Sequence, residues 1–189
     1  MKLLRHLILW GLLGSAVFLA GCSKDPGTPP EVVIAGVPVV VGESTPSSLR
    51  EAGFTTSDLG RMILELPDRS WTSSVYLKKD DISYASLTLV NDSKEERLVG
   101  LCVIEELGFY ALDDENRALD ITINGVNPIG KTVEELKELY PDLELDDDDG
   151  DYLWHYLRNG DYSVSFQYSK GVLTDIDVSH TFNKSYQSK

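Results

Sequence analysis

Between residues 162 and 168 the chain alternates Val164, Phe166 and Tyr168 with Ser163, Ser165 and Gln167. A period of two sends alternate side chains to opposite faces, so this segment predicts a strand with one face buried. Residues 75–78, 85–89 and 152–155 read as strands in the same way, as do the apolar runs 98–104 and 172–178. Two short stretches carry helix signals instead. Thr45 is an N-cap with Pro46 at the first helical position, and Gly53 suits the residue just past the end. Thr132 with Glu135 three residues on is a capping box, and Pro141 stops that helix.

These elements recur. Thr45-Pro46-Ser47-Ser48-Leu49-Arg50-Glu51 aligns with Thr132-Val133-Glu134-Glu135-Leu136-Lys137-Glu138 at an offset of 87. Residues 75–78 align with 152–155, and 85–89 with 162–166, both at 77; residues 98–104 align with 172–178 at 74. Each unit reads as a lead-in strand (37–41 or 119–123), a short helix, and a three-stranded antiparallel meander. The expected fold is α+β, two tandem repeats with a helix packed on each meander, able to join into one continuous curved sheet. The first repeat spans 32–107 and the second 119–182, with a connector at 108–118 and a tail at 183–189.

The second unit carries Gly130-Lys131-Thr132-Val133-Glu134-Glu135-Leu136, then Tyr152-Leu153-Trp154-His155-Tyr156, Phe166 through Gly171-Val172, and Ile176. On these residues the plan resembles the fold shared by beta-lactamase inhibitor proteins and the small SmpA/OmlA-type envelope lipoproteins, over most of residues 32–180. It is also similar to two-repeat lipoproteins of uncharacterised function from gut bacteria. The resemblance implies a non-enzymatic protein that binds other proteins through a sheet face. The resemblance implies disulfides that this chain, with Cys22 and Cys102 alone, cannot make, and its first copy lacks the Tyr-x-Tyr pattern.

The N-terminus has its own pattern. Residues 1–6 are short and basic, residues 7–19 are mostly apolar, and the run ends Leu19-Ala20-Gly21-Cys22. A stretch this short does not span roughly 30 Å of hydrocarbon, whereas a basic start, a short apolar region and small residues before a cut describe an export signal. Leu-Ala-Gly-Cys resembles the bacterial lipobox. That resemblance implies cleavage after residue 21, acylation (palmitate among the chains) of Cys22, and an extracytoplasmic protein anchored to the inner or outer membrane by lipid. Residues 22–31, rich in proline and polar side chains, then form a flexible tether. Cys102 lies in an apolar run and is expected as a buried small hydrophobe.

Charge narrows the partners. The chain has 17 basic and 31 acidic side chains, a net charge of −14. Removing residues 1–21, which hold Lys2 and Arg5 and no acid, leaves 15 basic against 31 acidic, or −16. Such a surface repels phosphates, so no nucleic-acid partner is expected. Seven carboxylates fall within residues 142–151 (Asp142, Glu144, Asp146, Asp147, Asp148, Asp149, Asp151). They read as a solvated loop, with weak calcium binding as the alternative, because no EF-hand register fits. Beyond the signal only His155 and His180 remain, and no nucleophile elbow, zinc motif or phosphate loop is present. The expectation is no enzyme, no cofactor and no dedicated metal site.

Tyr152 and Trp154 align with Val75 and Leu77, so the aromatics Tyr152, Trp154 and Tyr156 are expected to face the core. The opposite face would then carry Leu153, His155 and Leu157, which together with Tyr76 form the candidate partner face; a register slip of one residue would exchange the two faces. The functional expectation is a lipid-anchored envelope protein acting as an interaction or assembly module for an envelope or extracellular protein. A surface lipoprotein that binds a cation or small ligand is the alternative.

Overall fold

Antiparallel pairing organises almost the whole chain, with little helix, as the alternating pattern predicts. A computed structural model of the chain describes residues 25–112, 119–182 and 187–188. The signal segment and Cys22, residues 113–118 of the connector, and most of the C-terminal tail lie outside the described residues.

In chain order the elements are β1 (Val32–Ile34), β2 (Val37–Val39), α1 (Pro46–Glu51), β3 (Thr55–Thr56) and β4 (Glu65–Leu66). Next come β5 (Ser70–Lys79), β6 (Ile82–Asn91), β7 (Arg97–Leu98), β8 (Val103–Phe109) and β9 (Ile121–Ile123). The remainder are α2 (Val133–Leu139), β10 (Glu144–Asp148), β11 (Tyr152–Asn159), β12 (Tyr162–Ser169), β13 (Val172–His180) and β14 (Gln187–Ser188). The main sheet runs β10-β11-β12-β13-β8-β6-β5-β14, with β3 paired to β5. A second sheet runs β2-β1-β9, and β4 pairs with β7.

Both helices begin where their caps predict. Thr45 accepts from the Ser48 amide, Thr132 accepts from the Glu135 amide, and the side chain of each third helical residue, Ser48 or Glu135, accepts in turn from the backbone amide of its cap. Neither helix is long enough to be stable alone, so burial must hold it in place. Leu49 of α1 and Leu136 of α2 join Ile34, Ile121 and Ile123 of the small sheet in one buried cluster. That cluster also contains Val75, Leu87, Leu107, Val164, Phe166 and Ile176 from the main sheet. Tyr140 stacks on Phe166 with ring centroids 5.9 Å apart, and Tyr168 donates from its hydroxyl to the Lys131 carbonyl at 3.1 Å. Both helices and the small sheet therefore lie on one side of the main sheet.

The halves meet where β8 pairs with β13, through Ile176↔Phe109, Asp177↔Gly108, Val178↔Leu107 and Ser179↔Glu106. This junction differs from the expectation for residues 98–104. Arg97–Leu98 is a two-residue strand, Val99–Leu101 is a 3-10 turn, and the strand that joins the main sheet begins only at Val103. Gly100 lets the turn pack closely on the backbone at Met62, since a β-carbon there would stand 3.1 Å from the Met62 carbonyl oxygen. Cys102 closes the turn and is fully buried. Its thiol is pushed up to about 11 by burial, against an opposing pull from Arg97, so it stays protonated and inert.

Two further segments depart from expectation. The acidic stretch is not simply a loop, because Glu144–Asp148 pairs with β11 as an edge strand carrying a bulge between Leu145 and Asp147. Charged side chains on an edge discourage pairing with another chain. The proline-rich segment read as a tether is held against the body. Pro26 accepts from the Asp161 amide at 2.8 Å, Thr28 accepts from Asn159, and the Glu31 amide donates to Asn124 at 2.9 Å.

Candidate functional site

Hydrogen-bond register decides which side chains β11 shows to solvent. His155 pairs with Phe166, Leu157 with Val164 and Leu153 with Tyr168, and all three partners are buried beneath α2. His155 is only 3% exposed, and Leu153 and Leu157 pack against the core. The candidate partner face Tyr76, Leu153, His155, Leu157 is therefore corrected: Tyr76 faces outward at 46% exposure and the other three face the core. The alignment at 77 equates Val75 with Tyr152, yet Val75 pairs with Leu87, and Leu157 pairs with Val164, the residue aligned with Leu87. Pairing thus puts Leu157, 82 residues after Val75, in the position that the alignment gives to Tyr152. The discrepancy of five residues is odd, and an odd slip exchanges the faces of a strand.

The buried histidine has no surface role. Burial and the Lys137 ammonium hold its pKa below the ordinary value, while Glu134 pulls the other way. Its ring meets Tyr168 edge-on, and its Nδ1 has no hydrogen-bond partner among the described residues. His180 is likewise held low, chiefly by burial, between Tyr162 and Phe182 with ring centroids 4.6 and 4.4 Å away.

The face opposite the helices is a different surface. One register row crosses six strands as Tyr156, Ser165, Asp177, Gly108, Ser86 and Tyr76. The next row runs Arg158, Ser163, Ser179, Glu106 and Thr88. At its outer edge, Arg158 lies 4.5 Å from the Tyr156 ring, bonds Asp146 at 3.0 Å and approaches Glu144 at 4.0 Å. Tyr152 and Trp154 add a second aromatic pair on the same strand, with centroids 5.9 Å apart.

Carboxylates occupy the centre. Asp177 lies opposite Gly108 and Glu106 opposite Ser179, so the two acids are diagonal neighbours across the β8–β13 junction. Each accepts from a hydroxyl on the adjoining strand: Thr88 donates to Glu106 at 3.5 Å, and Ser165 to Asp177 at 3.4 Å. Tyr110 folds back over Gly108 and also hydrogen-bonds Asp177. The other Asp177 oxygen, Oδ1, is buried and unpartnered among the described residues.

The acids of this group raise one another's pKa. Burial, then Glu106, raises Glu105 to about 7. Burial, then Asp177, raises Glu106 despite the Thr88 bond. Asp177 is raised by burial and by Asp175, against the bonds from Tyr110 and Ser165. Tyr110 is raised by burial and by the acids around it. Among the described residues, every charge that perturbs these carboxylates is itself negative. Alternation along β13 already places Asp175 and Asp177 on the polar face; Glu105 and Glu106 lie beyond the run read as a strand.

Two clefts lie elsewhere. One of about 350 Å³ runs between Thr28, Pro29 and Pro30 and the β11–β12 hairpin at Asn159 and Tyr162. The other, about 320 Å³, is lined by Phe54, Leu59, Met62, Ile63, Leu98 and Leu101. Among the described residues no group of three or more histidine, cysteine or acidic side chains is placed to hold a metal ion. No protein-family model, curated protein or solved structure matches this chain.

Proposed function

We propose that this chain is an exported protein, held to a bacterial membrane by lipid on Cys22, that binds another protein through the helix-free face of its main sheet. The reading rests above all on the composition of that face. Large apolar side chains fill the side under α2, while Tyr76, Tyr156 and Trp154 surround hydroxyls and carboxylates on the other. Aromatic side chains on a broad polar surface are the usual anchors of protein interfaces.

We also read the two meanders as tandem copies. Counterparts in β6 and β12 are 77 residues apart, and those in β8 and β13 are 71 apart. With those offsets Leu107 is the counterpart of Val178, its own pairing partner, and the Thr88–Glu106 pair repeats as Ser165–Asp177. Under this reading the interface straddles an internal two-fold. The lipobox supports placing that interface outside the cytoplasm.

The test is site-specific photocrosslinking in intact cells. A benzophenone amino acid replacing Tyr76 or Tyr156 is expected to give a discrete protein adduct. The same group replacing Glu51 or Glu138, exposed on the helices, is expected to give none. Adducts from the helix positions alone would rule the sheet face out.

A further inference from the structure

Apolar side chains that face water gather at one place. Leu59, Ile63, Leu98 and Leu101 are all exposed, and all four line the cleft of about 320 Å³ that α1 borders. Exposed apolar residues scattered singly need no explanation, but four around one concavity mark a surface that something else covers. Phe54 and Leu77 also line it, and each is only 1% exposed, so the apolar lining runs from a rim down to a floor.

The walls are set by the main chain. Pro46 and Ser47 stand four and three residues before Arg50, so the three share one face of α1. Opposite them lie two 3-10 turns, Arg61–Ile63 and Val99–Leu101. The Val99 amide ties these turns together by donating to the Leu64 carbonyl at 2.9 Å, and β4 pairs with β7 beside them. Gly100 lets this wall approach α1, since a β-carbon there would stand 3.3 Å from the Ser47 hydroxyl oxygen.

Shape and charge narrow the occupant. A flat surface would meet Leu59 and Ile63 at the rim and leave Phe54 and Leu77 untouched, whereas one flexible chain reaches both. The volume lies at the lower end of the range for small-molecule sites, which share an apolar lining with few polar groups. Among the described residues that line the cleft, Arg50 alone is charged, and it is a cation in a chain of net charge −14. A guanidinium matches one carboxylate through two parallel hydrogen bonds, and the apolar walls match the methylenes behind it.

We propose that this cleft binds a fatty acid, an unbranched acyl chain with a free carboxylate, its methylenes against Phe54 and Leu77 and its head group on Arg50. Leu77 belongs to the buried cluster beneath the helices, so the site lies on the helix side of the main sheet. It is separate from the interface read on the open face and stands or falls without it.

The test is an amide NMR titration of the full chain with decanoate, kept below its micelle concentration. Saturable shifts are expected at Ser47, Phe54, Thr56, Gly100 and Leu101, with a Kd near roughly 1 mM. Octanoate should bind at least about tenfold more weakly, because each methylene is worth about a factor of four. Decanol keeps the chain without the charge and should bind at least about fivefold more weakly. That preference for the acid should vanish in R50Q. Ile63 is 73% exposed, so I63Q is expected to fold as the wild type does and to lose at least about fivefold in affinity. No saturable shift at these amides, equal response to decanol, an unchanged acid preference in R50Q or undiminished binding in I63Q overturns the proposal. Tighter binding of decyl phosphate than of decanoate overturns it as well. So do concentration-dependent shifts at the same amides without any probe, which would assign the cleft to a second copy of the chain.

Discussion

Tyr110 lies on Gly108: a β-carbon at Gly108 would run into the Tyr110 hydroxyl oxygen and the ring carbon that bears it. The glycine is needed for space and not for an unusual backbone angle. Its strand is the middle of the main sheet, and the ring covers main chain that would otherwise face water. The same phenol reaches Asp177, the residue paired with Gly108 across the junction. One contact therefore ties the packing of the open face to the position of a central carboxylate.

Gly108→Ala should displace the ring and break its bond to Asp177, at a cost of about 1–3 kcal/mol in unfolding free energy. In a Tyr110→Ala background the three atoms nearest the added methyl are gone, so the two losses should be strongly non-additive. Urea denaturation of the two single variants and the double variant measures this. Additive losses would mean that the ring does not occupy that position.

What was legible in the sequence was local. The two helices start at Thr45 and Thr132 because each capping hydroxyl sits three residues from its partner, and nothing distant has to be known. The faces of β11 were not legible. They depend on which residue of β12 stands opposite His155, and alignment by residue type missed that register by an odd number. The acidic pair was half legible: alternation along β13 exposes Asp177, but only the β8–β13 pairing brings Glu106 beside it, from 71 residues away. Reading residues 98–104 as one strand hid this, because Gly100 turns the chain there and moves the start of β8 to Val103.

Asn91 should be among the most sensitive polar positions. It is fully buried at the end of β6, its two amide hydrogens are shared among the carbonyls of Leu66, Pro67 and Glu95, and its Oδ1 accepts from Ser93. Asn91→Ala leaves several buried carbonyls without a donor, so a loss of about 2–4 kcal/mol is expected in thermal or chemical unfolding. A change below about 0.5 kcal/mol would show that water replaces the amide at no cost.

Cys22→Ala should leave an unprocessed, unacylated precursor. Mass spectrometry of the wild-type chain is expected to show residues 1–21 removed and Cys22 acylated, with the protein in the membrane fraction. Without the thiol there is no site for the thioether, and the chains that give about 0.8 kcal/mol per buried CH₂ are missing. Identical mass and partitioning of the two forms would refute lipid attachment at this residue.

His155 should weaken the fold in mild acid. Its pKa is lowered from 6.5 in the folded state by burial and by Lys137, so the unfolded chain takes up the proton first. Stability from this group is full above the ordinary value and is lost as pH falls below it. His180 is shifted the same way, so the signature is a difference: His155→Phe should flatten part of the decline between pH 7 and about 5. Parallel pH profiles for variant and wild type would assign the acid sensitivity elsewhere.

Glu105 should act with the opposite sign. Burial and Glu106 raise it from 4.5 to about 7, so the folded state holds the proton more tightly across that interval. Its contribution to stability is greatest below the ordinary value, falls as pH rises toward 7, and is constant above. The charged group that acts on it among the described residues is Glu106 on its own strand, which in turn feels Asp177 on β13 and accepts from Thr88 on β6. Glu105→Gln keeps the shape and removes the charge, so it should match wild type near pH 4.5 and exceed it at pH 8. The gain should be about 1 kcal/mol, since the side chain is partly exposed and water screens the repulsion. Chemical denaturation at the two pH values decides it: an advantage confined to pH 8 marks a charge that the fold resists, whereas an equal offset at both would trace to packing.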